Sequence, residues 1–110
     1  MSKAERGGAP KGSLGKSFIA TLRVKPEKRD DFIALQTELK GLVHDHEPDA
    51  YVYEVLQAEE DDDLFYCIAT FKDDSAFDHH MGIDFHDRLV PPILKCLAED
   101  MQLAFFRSHA

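Results

Sequence analysis

Between Thr70 and His86 the chain reads TFKDDSAFDHHMGIDFH, which sets His79, His80 and His86 among aspartates and aromatic residues. Imidazole is the side chain that titrates near neutral pH, at about 6.5, so a histidine in an apolar setting is a candidate general acid or base. Asp73 or Asp74 can cap a short helix from Ser75 to Met81. On such a helix Phe77, His80 and Met81 share one face at i, i+3 and i+4, while Asp78 and His79 point outward. An imidazole flanked by Phe77, Met81 and Phe85 serves as an acid/base or as a hydrogen-bond donor to a substrate. The alternative is a structural histidine bonded to a backbone carbonyl. His86 falls either at the rim of the same pocket or on the surface.

Other chemistries find little support. His44 and His46 lie two apart and do not share a helix face; His79, His80, Asp84 and His86 lack a ligand spacing. No metal site is therefore expected. The chain has no glycine-rich phosphate loop, no Ser-His-Asp order with an elbow motif and no CxxC. Its two cysteines, Cys67 and Cys96, lack a basic flank that would activate a thiol and read as buried free thiols.

The elements that must carry these residues are legible in the pattern. Ser17 to Lys25 alternates as a strand, with Phe18, Ala20, Leu22 and Val24 on one face and Ile19, Thr21 and Arg23 on the other. Pro26 sits where a helix begins, and Phe32, Leu35, Leu39 and Leu42 recur at helical spacing up to the stop before Pro48. AYVYEVLQ from Ala50 is a second strand, EEDDD (59–63) an acidic turn, and LFYCIATF (64–71) a third strand. After the short helix, a further helix covers Phe85 to Ala98, with Pro91 and Pro92 near or inside its first turns, and MQLAFFRS from Met101 closes the fold. The order β-α-β-β-α-β is the ferredoxin-like plan: an α+β fold with a four-stranded antiparallel sheet and helices on one face.

One hundred and ten residues of 44% hydrophobic content make a single domain. A formal charge of −8 argues against nucleic acid as partner, since phosphate binding needs a basic stripe. Residues 1–16 hold Lys3, Arg6, Lys11 and Lys16 against Glu5, net +3, which leaves −11 on the rest. That segment lacks an apolar core and a signal-type h-region, so it reads as a flexible tail (1–16) ahead of a domain at 17–110. No window is apolar enough to span a membrane. A cytoplasmic location is expected.

Neither face of the strands is polar. Tyr51, Tyr53 and Val55 oppose Val52 and Leu56; Phe65, Cys67 and Ala69 oppose Leu64, Tyr66 and Ile68. With helices on one side only, the open side of the sheet needs a cover, and two-fold pairing of sheets in a homodimer is the simplest closure.

These pieces together resemble the antibiotic biosynthesis monooxygenase (ABM) domain family of the dimeric α+β barrel superfamily. The matching segments are FIATLRVKPEKRDDFIAL, the YVYEV strand and TFKDDSAFDHHMGIDFHDRL, so the resemblance runs from about Ser17 to Arg107. The aromatic-x-D-x-x-A-F/L-x-x-H run, here Phe71 to His80, is its best signature. Members of the family include cofactor-free oxygenases of aromatic polyketides, quinol monooxygenases, haem-degrading enzymes and isomerases of a bacterial autoinducer. Many carry Glu-Arg-Trp at the end of the third strand, where this chain has Ala69, Thr70 and Phe71. The family's second histidine position holds Phe85, with His86 one residue later. The haem branch's asparagine and tryptophan positions fall at Leu22 and Phe71, and its axial histidine has no match near Arg88–Val90.

What the resemblance implies is oxygenation of a small aromatic substrate, a quinol or polyaromatic phenol, by dioxygen without metal, flavin or other cofactor. His80 would take the phenolic proton. That transfer is uphill by about 3.5 pKa units, or roughly 5 kcal/mol, so His80 would need help from Arg23 or a tyrosine hydroxyl. Tyr53, Tyr66 and Phe71 would line the aromatic side of the pocket, with Phe77, Met81, Phe85 and His86 around the imidazole. A non-catalytic module that binds a small aromatic ligand, or an isomerase acting through His80, are the other readings on the same fold.

Overall fold

A computed structural model of the chain describes residues 15–109. The segment read as a flexible tail lies outside these residues except for Gly15 and Lys16, which already belong to the first strand. The elements are β1 (Gly15–Arg23), a single 3-10 turn (Pro26–Lys28), α1 (Arg29–His46), β2 (Ala50–Ala58), β3 (Asp61–Phe71), α2 (Asp74–Gly82), α3 (Asp84–Lys95) and β4 (Gln102–Ser108). The sheet is antiparallel throughout, in the order β2-β3-β1-β4. This is the ferredoxin-like α+β fold. Its core lies between the helices and the face of the sheet that carries Phe18, Ala20, Leu22, Tyr53, Phe65, Cys67, Ala69 and Phe71.

Several boundaries differ from the expected ones for identifiable reasons. β1 begins earlier because Gly15 can approach the partner strand: a Cβ there would stand 2.9 Å from the Phe71 carbonyl oxygen. The acidic turn is shorter than expected, since Asp61 and Asp63 extend β3. Their carboxylates are held by Arg23 at 3.0 Å and Arg29 at 2.6 Å. Pro26 opens the 3-10 turn, and regular α-helix starts at Arg29. In α3 the two prolines stand in the second half of the helix rather than its first turns, and the helix stops at Lys95. Leu97 then bridges Val24, which ties the end of β1 to the helical layer.

The apolar stripe of α1 is rotated from the expected one. Its buried residues are Phe32, Gln36, Leu39 and Val43, whereas Leu35 and Leu42 are only partly buried at its edge. A polar side chain therefore occupies a core position. In β2 a bulge between Ala50 and Val52 turns Tyr51 out of the alternation, and Tyr53 and Val55 face the helices.

The opposite face of the sheet carries Ile19, Val52, Leu56, Tyr66, Ile68 and Phe106. Val52, Leu56 and Phe106 are exposed, Phe106 to 50%. Among the described residues no helix is long and apolar enough to cross a membrane.

Candidate active site

His80 lies in the last turn of α2. The helix is set by Asp73, whose side chain accepts from the Ala76 backbone N–H at 2.8 Å, so Asp73 rather than Asp74 is the cap. With that start fixed, His80 points inward and is 1% exposed, while His79 stays on the surface. Glu47 comes to meet it from the end of α1. Pro48 cannot continue the helix, and Glu47 terminates it with its own N–H still donating to the Val43 carbonyl at 2.9 Å. The carboxylate is buried, and His80 Nδ1–H donates to Oε2 at 2.9 Å and Oε1 at 3.1 Å.

That bond assigns the Nδ1 proton. It is committed to the carboxylate, and Nε2 on the far side of the ring has no partner among the described residues. Around the imidazole stand three rings. Phe71, fully buried, lies 4.9 Å from it centroid to centroid, Tyr53 lies 5.7 Å away, and His86 meets it edge-on at 4.6 Å. Burial and the neighbouring His80 hold His86 below the usual imidazole range. Burial, the Cys67 thiol beside it and the Glu47 charge push the Tyr53 phenol well up, so it can donate a hydrogen bond but not act as a base near neutrality.

His80 borders an apolar cavity of about 120 Å³ beneath the helices. Phe18, Ala20 and Leu22 of β1 form its floor, with Gln36, Leu39, Tyr53, Phe77 and Ile93 among its walls. At the mouth stand Met81, Leu94, Met101 and Leu103, all at least 37% exposed. An apolar cavity of roughly 150 Å³ holds benzene, so this one is matched to a single aromatic ring, with substituents reaching toward the mouth. Unbranched methionines there allow the opening to adapt.

The residues expected at the site divide into two groups. His80, Tyr53, Phe77, Met81 and His86 converge on the cavity. Phe71 backs the imidazole instead of lining the space. Phe85 turns beneath α3 toward His46, with 6.0 Å between ring centroids, and does not border the cavity. The one-residue displacement of the histidine is what brings His86, not Phe85, against His80. Tyr66 and Arg23 are corrections: strand alternation puts both on the opposite face of the sheet, where Arg23 pairs with Asp61. Neither can assist His80 within its own subunit. Glu47 and Gln36 were missed. Their signals were an acid wedged before a proline at a helix end and an amide four residues after Phe32 and three before Leu39, on a helix otherwise apolar along that stripe.

Among the described residues no group of three or more His, Cys, Asp or Glu is placed to hold a metal ion. The haem-degrading positions do not fit that group. Leu22 and Phe71 are buried apolar side chains, and the space beside His80 suits one ring, not a macrocycle.

The fold recurs in solved structures. A conserved protein from Methanosarcina mazei Go1 is 26% identical with a TM-score of 0.77, covering 87% of this chain and 94% of that one. A crystal structure described as antibiotic biosynthesis monooxygenase is 26% identical with a TM-score of 0.79, covering 86% and 99%. A protein from Caulobacter crescentus CB15, assigned provisionally to the same activity, superposes with a TM-score of 0.85 at 19% identity, covering 89% and 92%. No curated protein matches the chain in sequence. The sequence model of the family described as antibiotic biosynthesis monooxygenase matches residues 17–90, a span that includes the Glu47–His80 pair and His86, and the chain belongs to that family.

Proposed function

We propose that the protein is a monooxygenase that oxidises a quinol or related phenol with dioxygen, drawing all electrons from the substrate itself. The observation that supports this reading is the Glu47–His80 pair at the wall of a ring-sized apolar cavity, with Nε2 unclaimed. The substrate's hydroxyl gives its proton to Nε2, and the Glu47 carboxylate stabilises the imidazolium that forms. The phenolate then passes an electron to dioxygen, and recombination forms a carbon–oxygen bond to a peroxide. His80 returns its proton to the peroxide, and O–O cleavage releases water and leaves a new carbonyl. For a quinol the balance is quinol plus dioxygen to hydroxyquinone plus water, four electrons leaving the ring. A dry pocket strengthens the ion pair between imidazolium and phenolate, which offsets much of the uphill proton transfer.

The expected help from Arg23 is replaced by Glu47, which acts as a positioning group, and by the Tyr53 hydroxyl as a donor. The cavity volume favours a single-ring quinol over a polyaromatic phenol. We further propose that the open, apolar face of the sheet pairs with that of a second copy, giving a homodimer.

The test is dioxygen uptake with a panel of hydroquinones and anthrone-like phenols, wild type against His80→Ala. Loss of His80 is expected to slow uptake by roughly 10²–10⁴-fold. Uptake that survives unchanged removes His80 from the mechanism. Tight binding of an aromatic with no uptake from any compound would make the protein a ligand-binding module instead.

A further inference from the structure

Three polar side chains are buried among the described residues: Gln36, Glu47 and His80. Glu47 and His80 satisfy one another. Gln36 has no such match for its acceptor: its Oε1 is buried and has no hydrogen-bond partner among the described residues. Native proteins rarely leave a buried acceptor unpaired, because its lost hydration is not replaced. Packing does not explain the residue, since its neighbours on the buried stripe of α1 are Phe32, Leu39 and Val43 and an apolar side chain would fill the position. Gln36 borders the same cavity as His80.

The two polar groups stand apart. Glu47, which holds His80, follows Gln36 by eleven residues. Gln36 lies on α1 and His80 in the last turn of α2, and both side chains border one ring-sized space of about 120 Å³. Between them the stripe offers only Leu39 and Val43. A ring in this space with one hydroxyl at His80 therefore has mostly apolar surroundings and shares its walls with one unpaired buried acceptor.

We propose that Gln36 determines specificity by accepting a hydrogen bond from a second hydroxyl of the ligand, so that the cavity selects an aromatic ring carrying hydroxyls at opposite ends, a 1,4-hydroquinone, over one with a single hydroxyl. The proposal rests on the cavity being an aromatic site whose first hydroxyl faces His80.

The experiment compares hydroquinone with 4-methylphenol, in which a methyl group replaces one hydroxyl. Both are titrated without oxygen by calorimetry into wild type and Gln36→Met, a substitution of similar length and shape. The preference for hydroquinone over 4-methylphenol is expected to fall by roughly five- to tenfold in Gln36→Met, the range one neutral hydrogen bond supplies, with 4-methylphenol affinity retained. A preference equal in the two proteins overturns the role of Gln36 while leaving the aromatic site standing. Failure of both compounds to bind wild type overturns the aromatic site and this inference with it. A measurement on wild type alone guards against a variant that does not fold. The Gln36 side-chain amide resonance should move with hydroquinone and stay in place with 4-methylphenol, and the reverse would overturn the inference. Without ligand, Gln36→Met should melt higher than wild type; a lower melting temperature would mark Gln36 as structural.

Discussion

Glu47 holds Nδ1 of His80 with both carboxylate oxygens, at 3.1 and 2.9 Å, across 33 positions of sequence. The pair joins the end of α1 to the end of α2, two elements that otherwise share no strand or turn. It therefore serves stability and site geometry together, and substitutions at Glu47 can separate the two.

Glu47→Gln keeps an acceptor for Nδ1–H but removes the charge that stabilises an imidazolium. Under the proposed mechanism kcat should fall by roughly 10²-fold or more with KM little changed, because Glu47 does not border the cavity. Folding stability measured by urea denaturation should shift by no more than about 1 kcal/mol. Glu47→Ala instead leaves a buried N–H unpaired and should cost about 1–3 kcal/mol. A Glu47→Gln enzyme with unaltered kcat would show that the carboxylate's charge is idle in the reaction.

Much of this arrangement was legible in the sequence. Strand alternation and the Pro26 and Pro48 boundaries located the elements of the sheet and α1, and the spacing of Phe77, His80 and Met81 aimed His80 inward. What sequence spacing could not supply was contact between distant elements. Nothing local to HDHEPD says that Glu47 will be buried; its partner arrives only when α2 packs beside the end of α1. Arg23 and Tyr66 show the converse: their chemistry suited the site, but period-two alternation put them on the other face, where Arg23 meets Asp61. Gln36 was passed over because the stripe was centred on Leu35 and Leu42, a rotation of one residue that hides a core amide.

His86 gives the protein a pH dependence with a definite sign. Burial first, and then the neighbouring His80, lower its folded-state value, whereas in the unfolded chain it titrates near ~6.5. Below that value the unfolded state binds more protons than the folded one, so stability falls as the pH drops through the window beneath about 6.5 and is fully present above it. Melting temperature measured from pH 8 down to pH 5 should decline, and the decline should be shallower in His86→Phe. Identical pH profiles for the two proteins would show that His86 carries none of the effect.

Cys67 should be chemically silent in the folded protein. It faces the core from β3, 4% exposed, and burial pushes its thiol up to about 11. Thiolate is the reactive form, so at pH 8 a disulfide reagent should find no fast-reacting Cys67 until denaturant is added. Rapid labelling of Cys67 in native buffer, read by mass spectrometry of the peptide, would mean that the sheet face opens more readily than its packing indicates.

The sheet's open face supplies the last prediction. Leu56 of β2 and Phe106 of β4 are 45% and 50% exposed, and between them on β1 and β3 lie the half-buried Ile19, Ile68 and Tyr66. An apolar surface spanning four strands is the kind that soluble chains cover. If two copies cover it for each other, Ile68→Glu at the centre of the face buries two unpaired carboxylates per dimer and should shift the population to monomer. Leu56→Glu, nearer the edge, should weaken association less. Neither change touches the helix-facing core, so each monomer should keep its circular dichroism spectrum. Light scattering at micromolar concentration reads the outcome directly, and a wild-type protein that runs as a monomer would leave the face without its proposed partner.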